Sequence, residues 1–337
     1  MSIWRLTSTM IFLVHSIDLM KIFLTGNLGF IGTCLSESLQ KMGHTIFGFD
    51  KKQPIGSERY RCIRGNILDA TLLIESLNDD IDLIIHLAAE HKDNIYPKSL
   101  YYDVNVIGTK NIIDACDIYN IDRIIFTSTV AVYGINPTNT SEDSTPNPFN
   151  DYGNSKLQAE QLLINWYKKK NDRSLSVIRP TVVFGEGNRG NVYNLMEQVA
   201  NNKFIMVGNG KNEKSIAYIG NLVEFISFAM KNKGFSIVNY ADKPDLTMYQ
   251  LITLFYKYLG KQENRISIPY WLGMSIGYIF DLLSFIRRRE FSISSIRIKK
   301  FCSNSIINTS KLQQLDIKPI ISLQSAIERT IRYEFMD

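Results

Sequence analysis

Cysteine is scarce and scattered in this chain: Cys34, Cys62, Cys116 and Cys302 are the only four in 337 residues. They form no C-x-x-C pair and no metal-ligand spacing, which excludes a disulfide-stapled scaffold and a structural zinc site. The pattern fits reduced, mostly buried thiols in a cytoplasmic protein. Long apolar runs are lacking too. The nearest approach, 266 to 286, is interrupted by Pro269 and Asp281 and falls short of a clean membrane span. Charge is not massed: a net charge of +5 is modest for this size, and the Lys and Arg residues are dispersed. That leaves no nucleic-acid footprint. Internal repeats, low-complexity tracts and long linkers are absent, which excludes a solenoid. What remains is 45% hydrophobic and 21% charged, the balance of a soluble globular protein. The length accommodates a domain of ordinary size and a smaller second one.

The glycines carry the first positive signal. Lys21 to Leu24 is a short apolar segment that reads as a buried strand, and Thr25-Gly26-Asn27-Leu28-Gly29-Phe30-Ile31-Gly32 follows it. Leu35 and Leu39 then recur at helical spacing. Strand, glycine-rich turn and helix make a cradle for a nucleotide pyrophosphate, with free N–H groups and a positive dipole end offered to the anion. The spacing is G-x-x-G-x-x-G, so the contacts expected are at Gly26, Leu28, Gly29, Phe30, Ile31 and Gly32.

Three features further along support that reading. Asp50 ends a second apolar run and can accept hydrogen bonds from the adenosine ribose hydroxyls, which favours NAD over NADP. Lys51 and Lys52 follow and soften the preference, so NADP stays open. Tyr152 and Lys156 are spaced i, i+4 and share a helix face. A nearby ammonium stabilises a phenolate and draws the tyrosine pKa from ~10 toward neutrality. Finally, Thr127-Ser128-Thr129 ends the apolar strand from Arg123, where a hydroxyl can share a substrate proton with the tyrosine.

With these residues in place, the chain resembles the extended short-chain dehydrogenase/reductases of the NAD-dependent nucleotide-sugar epimerase/dehydratase type. The resemblance runs from about Lys21 to the C-terminus. It also takes in His86-Leu87-Ala88-Ala89, Asn105-Val106-Ile107-Gly108-Thr109, Arg179-Pro180-Thr181 and the closing Thr309-Ser310-Lys311. It implies a catalytic set of Thr129, with Ser128 beside it, Tyr152 and Lys156. It implies cofactor contacts at Leu87, Ala88, Ala89 and Asn105, adenine contacts at Asn66 and Ile67, and substrate contacts at Asn191, Lys214 and Arg297. Relatives usually carry Asp where this chain has Asn66. Those that epimerise UDP-galactose often carry Asn where it has Val182, which loosens the tie to plain UDP-glucose chemistry.

Strands and helices alternate to about residue 185, with strands near 21–25, 45–50, 61–65, 83–88, 123–129 and 175–183. That is an α/β chain with a Rossmann-type, doubly wound parallel sheet. The NAD-binding domain is placed at 20–184 and a smaller α/β nucleotide-sugar domain at 185–337. Residues 1–19 match nothing in the family and are expected to be a disordered extension upstream of Met20. Residues 138–150 read as a loop over the site. The apolar segment from Ile266, followed by Arg287-Arg288-Arg289, has two readings. It is a helix packed in the second domain, or a helix lying in a membrane interface across 266–289.

The resemblance implies that Tyr152 takes the proton of a sugar hydroxyl at C4 while the carbon is oxidised. Dehydration needs a further acid and base, and Val130 and Ala131 stand where dehydratases carry them. A UDP-hexose or UDP-N-acetylhexosamine 4-epimerase is therefore expected, with a reductase or dehydrogenase of a UDP-4-keto-6-deoxy sugar as the alternative. Family members commonly pair as homodimers through the helix after Asn105 and the helix carrying Tyr152. No metal is implied.

Overall fold

The computed structural model describes residues 19–54, 56, 60–92, 95–135, 138–263, 266–287 and 294–336. All of the expected N-terminal extension except Leu19 lies outside the described residues. Strand β1 (Lys21–Thr25) is buried after its first residue, as a strand covered on both faces must be. Helix α1 (Phe30–Lys41) returns over the sheet on Gly32, Leu35, Ser36 and Leu39. Strands β2 (Thr45–Asp50) and β3 (Arg61–Arg64) follow, then α2 (Ala70–Glu75), capped by the Asp69 side chain. After β4 (Leu83–His86) the chain forms α3 (Ser99–Tyr102), a π-helical stretch (Asp103–Ile107) and α4 (Gly108–Tyr119). Next come β5 (Arg123–Thr127), a 3-10 turn (Val130–Tyr133), α5 (Asp151–Lys168) and β6 (Ser174–Pro180).

The second half opens with β7 (Val182–Phe184), α6 (Asn191–Ala200), β8 (Met206–Val207), β9 (Glu213–Tyr218) and α7 (Ile219–Ala229). It continues through β10 (Phe235–Tyr240), β11 (Asp242–Thr247), α8 (Met248–Tyr258), β12 (Ser267–Ile268), α9 (Tyr270–Arg287), α10 (Ser295–Cys302), α11 (Ser310–Gln314) and α12 (Leu323–Phe335).

The large sheet has the order β10-β6-β5-β4-β1-β2-β3, and every pairing in it is parallel. Alternate residues of one strand serve opposite faces. Ile22 and Leu24 join α1 and α7 (Leu35, Leu39, Leu222, Phe225) on one side. Phe23 joins α4 and α5 (Ile112, Cys116, Leu163, Trp166) on the other. The strand order reverses between β1 and β4, so the crevice for a ligand opens at their carboxyl ends.

Two boundaries differ from the sequence reading. The run expected over 175–183 is two strands. The chain leaves the large sheet at Thr181, whose N–H reaches the Tyr240 carbonyl at 3.0 Å. It then enters a three-stranded sheet of order β11-β9-β7. The cut at 184 is also not clean, because β10 returns from the second half as the edge strand of the large sheet. The cysteines are less hidden than expected: Cys116 is buried, and the other three are half-buried.

Candidate active site

The glycine turn is built by close approach. Gly26 adopts φ +73°, and a Cβ there would stand 2.7 Å from the Ala88 amide nitrogen. The first two cofactor segments, after β1 and after β4, therefore touch at the switch point. Gly32 lies so near the turn that a Cβ would come within 2.2 Å of the Gly26 carbonyl oxygen. Gly29 caps α1 without a side-chain hydrogen bond, and no acid lies in the first turn. The first N–H groups of the helix thus face outward with the dipole behind them.

Asp50 sits at the carboxyl end of β2. Its Oδ2 accepts from the Leu28 amide at 3.0 Å and its Oδ1 from the Lys52 amide at 2.9 Å. Each oxygen keeps a lone pair for a ribose hydroxyl. Lys52 is turned back onto the Leu28 carbonyl (2.8 Å), and Lys51 pairs with Glu90 (3.1 Å). An anion-ready helix end, a turn with no room for side chains and a carboxylate at the second strand together fit a dinucleotide.

His86 fixes the β4 side of this cradle, a role the sequence did not signal. Thr109 donates its hydroxyl proton to the Asn105 carbonyl (2.6 Å), so it must accept from His86 Nε2, 3.1 Å away. The ring is then the Nε2–H tautomer, and Nδ1 accepts from Thr25 Oγ1 at 2.8 Å. Thr25 Oγ1 in turn accepts from the Ala88 amide (3.2 Å). Burial, with the Lys156 charge adding to it, holds His86 neutral and pushes its pKa down to about 3.

The catalytic helix starts at Asn150, whose Oδ1 accepts from the Gly153 amide at 2.9 Å. This cap places Tyr152 in the first turn of α5. Gly153 has the Ala131 carbonyl oxygen where a Cβ would sit, at 2.6 Å. That contact lays the first turn against the 3-10 turn opened by Thr129. Thr129 Oγ1 accepts from the Ala131 amide (3.1 Å), which leaves its own proton to donate. Ser128 is buried, and its Oγ has no hydrogen-bond partner among the described residues. The Tyr152 ring packs at 6.3 Å from that of Tyr101.

Lys156, one turn on, is 1% exposed, and its Nζ lies 4.0 Å from the centroid of the Phe126 ring. Burial pushes its pKa down to about 7, against the raising field of Glu160 another turn along. Glu160 is fully buried and paired bidentately with Arg179. Arg179 also donates to Tyr133 Oη at 2.7 Å, and Tyr133 donates to Asn239 Oδ1 at 2.8 Å. This web went unread in the sequence, although the spacing 152, 156, 160 puts Glu160 on the catalytic face of α5.

The remaining expected residues fall in three places. Asn66 is exposed and Ile67 buried at the end of β3, where Asn66 Oδ1 accepts from the Leu68 amide at 3.1 Å. Leu87 and Ala89 flank Ala88 and are half-buried. Asn105 is placed as a support: its amide bridges both backbone groups of Glu90 (2.8 and 3.0 Å) and Ser155 Oγ (2.9 Å). It ties the β4 loop to the catalytic helix rather than facing the crevice. Asn191 is exposed in the first turn of α6. Lys214 points to the end of α10 and donates to the carbonyls of Lys300 (2.8 Å) and Ser303 (2.6 Å). Burial brings its pKa down to about 8. Arg297 lies in the first turn of the same helix, so α10 gathers both cations expected at a diphosphate.

The chain is 45% identical over 320 residues, 94% of its length and 95% of the other's, to the N-acetyl-alpha-D-glucosaminyl-diphospho-ditrans,octacis-undecaprenol 4-epimerase of Escherichia coli O157:H7. It is 25% identical to the mouse (Mus musculus) sterol-4-alpha-carboxylate 3-dehydrogenase, decarboxylating, across 91% of this chain and 89% of that one. The fold matches the UDP-glucuronic acid 4-epimerase of Bacillus cereus in complex with NAD, with a TM-score of 0.74 and 24% identity over 93% of this chain and 98% of that one. Residues 22–241 match the profile of the NAD dependent epimerase/dehydratase family, and the chain belongs to that family.

Proposed function

We propose that this protein is an NAD-dependent 4-epimerase of an N-acetylhexosamine joined through a diphosphate to a polyprenol. The observation that carries the reading is the 45% identity, end to end, to an epimerase of such a lipid-linked sugar. It extends the sequence expectation of a UDP-sugar by changing the carrier beyond the diphosphate. Val182, 43% exposed where UDP-galactose epimerases often have Asn, accords with a changed carrier.

The Gly26–Gly32 turn and Asp50 would hold NAD, which when bound would supply reversible oxidation at the sugar C4. Tyr152 Oη, as phenolate, takes the C4 hydroxyl proton and later returns it. The Lys156 ammonium stabilises the phenolate through space. Thr129 Oγ1, already accepting from Ala131, donates its proton to the sugar oxygen and so holds it beside Tyr152. Asn191 and Arg297 are the groups we assign to the diphosphate, with Lys214 bracing α10 from behind. Val130 and Ala131 offer no acid or base for elimination. A polyprenol-linked sugar resides in a bilayer, so the enzyme works at a membrane surface, with 266–289 as the expected contact, of which 288 and 289 lie outside the described residues. Pairing as a homodimer through α4 and α5 completes the reading. Ile107 and Ile118 are exposed on that side.

The test uses protein purified without added nucleotide. Mass spectrometry of the denatured sample should find NAD. The native enzyme, with no cofactor added, should interconvert N-acetylglucosaminyl-diphospho-polyprenol and its 4-epimer in detergent. Turnover of UDP-GlcNAc alone would overturn the lipid carrier. Absence of both bound NAD and turnover would replace epimerisation with 4-keto reduction.

A further inference from the structure

Helix α9 is divided lengthwise. One side packs. A Cβ on Gly273 would come within 2.5 Å of the Val207 side chain in β8, and one on Gly277 within 2.7 Å of the Ser295 backbone. Asp281, the only acid in the helix, accepts from the Ser295 amide at 3.3 and 3.2 Å and so starts α10. The other side carries Trp271, Tyr278, Ile279, Leu282 and Ile286, whose spacing keeps them on one helical face. All five are more than half exposed, with Trp271 at 67% and Ile286 at 65%. Ile266 and Tyr270, at the start of the segment, are exposed as well.

A row of five exposed apolar side chains along one helical face marks an interaction surface. Its chemistry is that of an interfacial helix: aromatic residues with polar edges in its first half, aliphatic residues in its second and a cation at its C-terminal end. Arg287 is exposed at the helix terminus, and Lys299 is exposed on neighbouring α10. No acid faces outward from α9. The surface is also joined to the site. Lys300 of α10 holds its ammonium 5.5 Å from the centroid of the Phe149 ring, and Phe149 precedes Asn150, the cap of the Tyr152 helix.

We propose that the exposed face of α9 lies in the headgroup region of an anionic bilayer, and that this seating gives the active site access to a membrane-borne diphosphate substrate. The inference rests on the lipid-linked reading above. Seated so, α9 places α10 and its cations at the depth where the diphosphate of a polyprenol-linked sugar lies.

Vesicle flotation of the full-length protein tests it. Wild type should float with vesicles of phosphatidylcholine and phosphatidylglycerol (7:3). Binding should weaken with phosphatidylcholine alone and with added salt. A variant carrying Trp271→Ser, Leu282→Ser and Ile286→Ser should bind at least tenfold less. It should turn over an N-acetylglucosaminyl diphosphate on a short, water-soluble alkyl chain at the wild-type rate. On the vesicle-borne polyprenol substrate it should lose tenfold or more. As a second readout, brominated phosphatidylglycerol should quench wild-type tryptophan emission, and Trp271→Phe should abolish that quenching. Unchanged flotation of the triple variant would overturn the docking face. So would a dimer-to-monomer change in light scattering without any vesicle binding by wild type, which would make the face a contact between copies. Wild type that binds vesicles through α9 yet turns over no lipid-linked sugar would uphold the docking face and remove the lipid carrier.

Discussion

Arg179 closes a bidentate ion pair on Glu160, Nε to Oε1 at 2.9 Å and Nη2 to Oε2 at 2.6 Å, with the glutamate wholly excluded from solvent. Glu160 is one helical turn beyond Lys156, so the pair anchors the catalytic face of α5 to β6. Glu160→Gln alone strands the arginine charge in the core, and such a break costs ~3–5 kcal/mol. Adding Arg179→Met removes the stranded charge, and the double variant should cost much less than the sum of the singles. Urea midpoints decide this. Glu160 also raises the Lys156 pKa. Its loss should move the alkaline limb of the pH–rate profile to lower pH, and an unmoved limb would leave Glu160 a purely structural role.

Tyr152→Phe deletes one oxygen from a half-buried ring and leaves the Asn150 cap, the Gly153 contact and the glycine turn intact. The variant should keep its thermal midpoint and its NAD while activity falls ~10³-fold or more, the signature of a group used in the transition state. More than about a tenth of the wild-type rate would remove Tyr152 from the proton transfer.

Acid should weaken the fold through His86. Its folded value, about 3, lies below the ~6.5 of an unfolded histidine. Unfolded chains therefore bind the proton first, and stability present above pH 6.5 is lost as pH falls toward 3. The slope from one such site reaches ~1.4 kcal/mol per pH unit. Between pH 7 and 5, before most carboxylates titrate, the wild-type denaturation midpoint should fall. His86→Gln should start lower and stay flatter. Parallel curves would assign the acid sensitivity elsewhere.

Much of this was legible because parallel strands buried on both faces read as unbroken apolar runs, as at Ile22–Leu24, Leu83–Ile85 and Ile124–Phe126. The glycine turn and the Tyr152–Lys156 spacing are local patterns, and local patterns survive in sequence. The unread parts are long-range. Asn239 meets Tyr133 across 106 positions, and β10 finds β6 across the intervening second-half segment. No periodicity encodes such pairings. The α9 segment is apolar nearly all round, so its composition could not choose between packing and exposure. Both hold, one on each side, and Gly273 and Gly277 at i, i+4 were the local sign of the packed side. Lys214 reads as a diphosphate ligand only while the carbonyls of α10 are unseen.

The cradle itself is testable through two of its glycines. Neither Gly29 nor Gly32 has a positive φ, so alanine is allowed by the backbone at both, and at Gly32, inside α1, it is intrinsically favoured over glycine by ~1 kcal/mol. Space decides. At Gly29 the new Cβ would meet, among the described residues, only the Gly26 carbonyl oxygen, at 3.1 Å, and a small shift relieves it. At Gly32 the same oxygen lies at 2.2 Å and the Asn27 Cα at 2.6 Å, both backbone atoms. Gly32→Ala should therefore push α1 away from the turn, lower the thermal midpoint by several degrees and release the bound NAD on purification. Gly29→Ala should keep the apo midpoint within about a degree or two, the range of substitutions that strain nothing buried. Equal losses in the two variants would mean that the turn depends on glycine flexibility in general and not on the close seating of α1 against it.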